Sequence, residues 1–347
     1  MKRLYILTLC SIGLAACIYF FKKRNPTTIA AGEGLVIKKE WLRQNEHPLT
    51  PQNDCRPADQ TFLTFPEWYL VFSPEEQANY FKQQTSSTFP FMSHTAQIWE
   101  GYEIVNDQIK DNFPTNTGYH FMIWVIGSSA SVEYSIKAWY ETVIGRVTDT
   151  YKVQTAEDQF NATFNQDYVD FIKDRPWYEF DFKSQLNDLW TSTPFFGDNI
   201  LRKIERRYIL TSELLVKHVY GKLIGLGTKQ VYDEALPTTA VVLENDSLQY
   251  LPRYDKFANA VMALAKQGHN FKEIAGNNSA ILLSVLIPAI PSGNKIDLGD
   301  AQIVFTQPLS SDPTTDRIAL AVPVESLSKL LLQLDHENVK VEHVFDF

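Results

Sequence analysis

The sequence predicts an α+β protein with an N-terminal transmembrane helix, a mainly helical domain, and a C-terminal ferredoxin-like antiparallel sheet with helices. Three observations carry that expectation. Leu4 to Phe21 are 18 consecutive uncharged and mostly apolar residues. From Phe62 to about residue 236 apolar residues recur with helical spacing among dense rings, and from Pro237 short strand-like runs alternate with two amphipathic helices. The boundaries follow as an anchor over 1–24, a linker over 25–61, an aromatic-rich helical domain over 62–236 and an α+β domain over 237–347.

The apolar run Leu4–Phe21 would extend about 27 Å as a helix, enough to span a hydrocarbon core. Tyr5, Tyr19, Phe20 and Phe21 lie near its ends, and Lys22, Lys23 and Arg24 stop it, as membrane flanks do. Leu14-Ala15-Ala16-Cys17 also resembles a bacterial lipoprotein cleavage box, which would make Cys17 a lipidated residue. Against that alternative, the apolar run continues through Ile18 to Phe21. Either reading places the chain on a membrane. The short basic tail Lys2-Arg3 favours a single-pass inner-membrane protein with its body in the periplasm, although the second basic cluster opposes that orientation.

The net charge is −9, yet five of the basic residues lie in the first 24 positions, where there is no acid. The rest of the chain has 27 basic against 41 acidic residues, a net −14, which excludes nucleic acid as an electrostatic partner. Cys10 and Cys17 sit in the apolar run, so Cys55 stands alone in the body and no cysteine-based zinc site or internal disulfide can form there. Aromatic residues make up 13% of the chain, which points to cores filled by rings.

Asn25 to about Asp59 is punctuated by proline and glycine and reads as a linker or surface-hugging segment. Ser73-Pro74-Glu75-Glu76 has the order of a helix start, with serine at the N-cap and proline in the first turn. Tyr119 to Ile144 reads as a long apolar helix closed by Gly145, and Arg202 to Ile224 as another closed by Gly225. The uncharged stretch between His120 and Glu133 is too short to cross a membrane and suits a buried or re-entrant helix. Thr238–Leu243, Phe271–Ala275, Ala280–Ile287, Arg317–Val322 and Val339–Phe347 read as strands. With a strand at 302–306 and helices at 252–267 and 327–334, the order approaches the ferredoxin-like β-α-β-β-α-β, the extra strands between the two helices being read as inserted. Phe271–Ala275 and Ala280–Ile287 are expected to pair around Gly276-Asn277-Asn278.

No G-x-S-x-G, H-E-x-x-H or G-x-G-x-x-G motif occurs, and Gly221–Lys229 ends in the reverse of the P-loop order, so no cofactor is expected. Glu133 and Glu141 share a helix face and, with His120, form the candidate acid-base or metal set. The competing reading of Glu133 is an ion pair with Lys137, four residues on. His94, near Trp99 and Glu100, is a weaker candidate, and His218 and His343 read as packed histidines. Arg175, Trp177 and Tyr178 with Arg206 are candidates for binding a carboxylate or phosphate, against the plainer reading of structural ion pairing. The ring-rich Phe65-Pro66-Glu67-Trp68-Tyr69 and Phe72 suit either the headgroup layer or a core wall.

Several segments carry a resemblance: Phe-Pro-Glu-Trp-Tyr at 65–69, Tyr-Glu-Thr-Val-Ile-Gly-Arg at 140–146, Asp-Arg-Pro-Trp-Tyr at 174–178 and Glu-Ile-Ala-Gly-Asn at 273–277. With Gly-Tyr-His at 118–120, Glu-Tyr at 133–134 and the terminal Glu-His-Val-Phe-Asp-Phe, the set resembles an uncharacterised family of bacterial membrane-anchored proteins, from roughly Phe62 to the end. The resemblance implies a bacterial envelope setting and no catalytic residues. The function expected is binding, with the membrane and a protein or lipid as partners. The alternative is a membrane-bound enzyme using Glu133, Glu141 and His120.

Overall fold

The computed structural model describes residues 28–30, 37–232, 238–289 and 298–347. The expected anchor Leu4–Phe21 and the alternative lipidation residue Cys17 lie outside the described residues. The described chain is α+β, with a helical N-terminal part followed by two antiparallel sheets.

Helix α1 (Gln60–Phe81) begins thirteen residues before Ser73 and runs through Pro66 and Pro74. The expected start at Ser73 is therefore a mid-helix position. Phe62, Phe65, Tyr69 and Phe72 recur at helical spacing and are at most 2% exposed, and this buried face outweighs the two prolines. Helix α2 (Phe91–Ile109) packs beside it, with Gly101 meeting the Phe65 ring. Helix α3 (Thr117–Tyr140) is capped by the Asn116 side chain, which accepts from the Tyr119 amide, and ends in a wide turn, Glu141–Gly145. A Cβ on Gly145 would fall 1.9 Å from a Glu141 carboxylate oxygen, so glycine is what lets that carboxylate fold back. Helix α4 (Ala156–Ile172) starts with a reciprocal Thr155–Asp158 capping box. Helices α5 (Phe182–Ser192) and α6 (Ile200–Tyr232) follow. Gly225 does not end α6. Gly221 and Gly225 instead lie against Tyr178, within 3.3 to 3.4 Å of where a Cβ would stand, and make room for it.

Strands β1 (Ile29–Ala30), β5 (Ala280–Pro288), β6 (Gln302–Pro308), β7 (Thr315–Pro323) and β8 (Lys340–Val344) form a sheet of order β1-β6-β7-β5-β8. Strands β2 (Thr238–Leu243), β3 (Leu248–Pro252) and β4 (Phe271–Ile274) form a second sheet of order β3-β2-β4. This corrects the single ferredoxin-like sheet expected from the element order. Strand β4 does not pair with β5, because both edges of β5 are taken: Leu283 faces Leu320 of β7 on one side and Val344 of β8 on the other.

Side chains of β5 alternate between two cores. Ile281, Leu283 and Val285 meet helices α7 (Asp255–Lys266) and α8 (Leu327–His336) and the smaller sheet. Ala280 and Leu282 face the other way, with Phe305 and Phe345, onto Phe62, Phe65 and Phe72 of α1 and Ile98 of α2. Residues on both sides of the expected boundary at 236 and 237 thus share one core. The ring-rich segment 65–72 is the wall of that core, with Phe65 and Tyr69 0% exposed.

Part of the expected linker is a strap fixed to the sheets. The Ile37 amide donates to Gln108, the Arg56 amide to the Ala275 carbonyl, and the Glu273 carboxylate accepts from the Leu49 and Thr50 amides, the Thr50 hydroxyl and Asn45 Nδ2 at 2.9 to 3.1 Å. Glu273 is buried, so its removal strands several donors. Glu273→Ala is predicted to lower unfolding free energy by about 2–4 kcal/mol in chemical denaturation, and to open the strap around 43–56 to limited proteolysis.

Candidate functional site

Two buried polar clusters and one exposed apolar face stand out among the described residues. The first cluster lies where α1 meets the larger sheet. Arg317 of β7 is 1% exposed and is held by Glu76 of α1 at 2.9 Å and by a bidentate contact with Glu342 of β8 at 2.7 and 2.8 Å. Its guanidinium lies 4.4 Å from the Phe72 ring centroid. Burial opposes the charge, but Glu342 and Glu76 outweigh it and hold Arg317 protonated more firmly than usual.

Next to it, fully buried His94 contacts Ser73 Oγ at 2.8 Å, Ser310 Oγ at 2.9 Å and Tyr69 Oη at 3.1 Å. Ser73 also bonds Tyr134, which links α1 to α3. Burial, and secondarily Arg317, pushes His94 down to about 3, so it is neutral and its 3.8 Å approach to Glu76 is not an ion pair. Ser73, His94 and Glu76 have the residue types of a hydrolytic triad, but each is at most 3% exposed, so no substrate reaches Ser73. His343 of β8, its ring tilted against Trp68 with centroids 3.8 Å apart, is likewise buried, held down to about 3 by burial, and its Nε2 has no hydrogen-bond partner. A cleft of about 160 Å³ beside it is lined by Trp68, Glu75, Lys173, Asp255 and Lys340. That is room for a few waters rather than a typical organic ligand.

The second cluster joins α3, α4 and α6. Arg202 pairs with Asp158 at 2.8 Å, Arg206 with Glu141 at 2.6 Å and with Glu205, and Arg207 with Glu157 at 2.7 Å. All seven side chains are at most 8% exposed. Farther along, Glu133 bridges Lys137 and Lys217 at 3.0 and 3.1 Å, and Lys137 and Lys217 both reach Glu213. Burial would raise the Glu133 carboxyl, but Lys217 and Lys137 outweigh it and bring it to about 2.

The sequence candidates therefore do not come together. His120 bonds Tyr102 at the start of α3, Glu133 sits in the Lys-Glu ladder, and Glu141 is clamped by Arg206. His120 and Glu141 stand about 30 Å apart along the helix axis at 1.5 Å per residue. The binding candidates also separate. Trp177 stacks on Tyr220 and Tyr178 packs on Gly221, while Arg206 lies about 20 Å farther up the same helix. Arg175 lies over the Phe171 ring, and Asp174 pairs with Lys256. Among the described residues, no three His, Cys, Asp or Glu side chains converge as a metal site requires.

The face that sequence reasoning missed is on α3. From Phe121 to Val143 the exposed residues are uncharged, including Phe121 at 71%, Ile136 at 58% and Trp139 at 63%, and the most exposed charged side chain, Glu133 at 37%, is tied to Lys137 and Lys217. On α6 the exposed side chains between Leu201 and Leu226 include a single charge, Lys222. A surface helix ordinarily turns its charges outward; here they point inward. The signal in the sequence is that apolar residues of 121–143 occupy all sides of the helix, which fits a buried helix equally well. Comparison of the chain with known protein families, characterised proteins and solved structures finds no match.

Acid should act through the two buried neutral histidines. Their folded values lie near 3, below the ordinary 6.5, so between those limits the unfolded chain binds protons that the folded chain refuses. Stability from this source is full above about pH 6.5 and falls as pH drops, by up to about 2.7 kcal/mol per pH unit for the pair. His343→Phe, which keeps an aromatic ring against Trp68 and removes the unpartnered nitrogen, is predicted to halve the slope between pH 6.5 and 5 in denaturation midpoints.

Proposed function

We propose that the chain is a membrane-anchored interaction protein of the bacterial envelope, with Leu4–Phe21 in the inner membrane, the body on the periplasmic side, and the outward faces of α3 and α6 as the working surface. The observation that carries the reading is the uncharged exposed stripe of α3. Apolar patches of this extent on soluble bodies mark contact surfaces. The polar contacts support it from the other side, since the candidate catalytic groups are spent on contacts that hold the helices together, Glu133 and Glu141 in ion pairs and His120 in a hydrogen bond to Tyr102. The anchor sequence and the resemblance to bacterial membrane-anchored proteins supply the setting.

Hydroxyl-radical footprinting in isolated membranes tests the reading. Trp139 and Tyr250 are similarly exposed, at 63% and 53%, but Tyr250 lies on β3, in the smaller sheet. With rates normalised to the unfolded chain, Trp139 is predicted to react at least about fivefold more slowly than Tyr250, because its face is covered. Equal protection factors would show that α3 faces water.

A further inference from the structure

We infer that the occupant of the α3 face is lipid: α3 lies along the bilayer interface, with α6 beside it, as a second membrane contact. This rests on the reading above and names its partner. The chain path is the first support. Arg24 ends the basic flank of the apolar run, and Thr28, four residues on, is fixed to the body by its amide, which donates to the Glu100 carboxylate of α2 at 2.7 Å. Four residues of chain reach at most about 14 Å. Trp99, next to Glu100, meets Trp124 of the exposed α3 face with ring centroids 5.1 Å apart. An anchor seated in a bilayer therefore holds this end of α3 close to the headgroups.

Charge gives the second support. A helix that packs on another copy through an apolar stripe ordinarily carries charged residues along the stripe's flanks, which set partner and register. Between Phe121 and Val143 the most exposed charged side chain is Glu133, at 37%, and it is paired with Lys137 and Lys217 rather than left free on a flank. Of the three charged side chains of this stretch, Glu133 and Lys137 are turned to Glu213 and Lys217 of α6, two acids balanced by two bases, and Glu141 is clamped by Arg206. Charges facing inward and neutralised by partners, with apolar side chains outward, is the arrangement a lipid environment requires. Trp124 and Trp139 are the ring type that concentrates at membrane interfaces, and the long stem of Lys222 lets its ammonium reach water from an apolar face.

The body rests on the surface and does not cross. Among the described residues no helix is long and apolar enough to span a membrane. Helix α4, which packs on α1, exposes Gln159, Thr163, Asp167 and Asp170, so another side of the helical layer is built for water. A one-sided apolar face on a polar body is the pattern of an interfacial contact.

The test uses the full chain in vesicles of phosphatidylcholine and phosphatidylglycerol that include a phosphatidylcholine with a diazirine on its acyl chain. After irradiation, adducts are mapped on peptides. Adducts on Phe121–Val143 and on Leu223 or Leu226, in addition to Leu4–Phe21, with none on Gln159–Asp170, are expected. In parallel, p-benzoylphenylalanine placed at Ile136 reports a protein neighbour. Lipid adducts confined to Leu4–Phe21, together with a cross-link from position 136 to another chain, would overturn the lipid assignment and leave an interaction surface. Adducts confined to Leu4–Phe21 with no cross-link, and rapid oxidation of Trp139 by a water-soluble radical, would overturn both.

Discussion

The rest of the structure depends on one buried cation, Arg317, at the seam between α1 and the larger sheet. A guanidinium removed from water must be paired on all sides, and loss of a partner costs about 3–5 kcal/mol. Glu76 comes from α1 and Glu342 from β8, so the pairing is satisfied only when helix and sheet stand in one register. His94 must then remain neutral, and its ring becomes a hydrogen-bond link between Ser73 of α1 and Ser310, just after β6. Apolar packing alone, through Phe65 against Phe305 and Phe345, would tolerate sliding; the ion triad does not.

The same economy governs the other helices. Arg202, Arg206 and Arg207 enter α6 within six positions and each finds an acid on α4 or in the turn after α3. Tying the helices together in this way commits the charged residues of α3 and most of those of α6 to their mutual contacts. What remains for the outside of α3 and much of α6 is apolar, and that remainder is the proposed contact surface. Stability and membrane affinity are thus two results of one distribution of charge.

Much of the α+β character could be read from the residues. The strands at 238–243, 280–288 and 315–323, and the amphipathic helices ending near Gly268 and His336, follow from periodicity and turn residues. Strand partners did not follow, because Phe271–Ile274 and Ala280–Pro288 have equal local claims to a hairpin and only the occupied edges of β5 decide. Ser73-Pro74-Glu75-Glu76 imitates a helix start, while its serine and second glutamate are used for contacts 21 and 241 residues away. The Lys137 partner of Glu133 was legible as a local i,i+4 pair, but Arg206 reaches Glu141 across 65 residues, a pairing no spacing rule reveals. The outward stripe of α3 was hidden for a related reason: composition records how apolar a helix is, and only tertiary contacts tell which side is covered.

Native-state hydrogen exchange of the full chain in vesicles, followed through low denaturant, tests most directly whether α1 and the larger sheet form one unit locked at Arg317. The account predicts that the slowest amides of α1 around Tyr69 and Phe72 and those of β5 around Leu282 and Leu283 converge on the same global opening, with one free energy and one denaturant dependence. Exchange of α1 through a separate, lower-energy opening while β5 stays protected would contradict it.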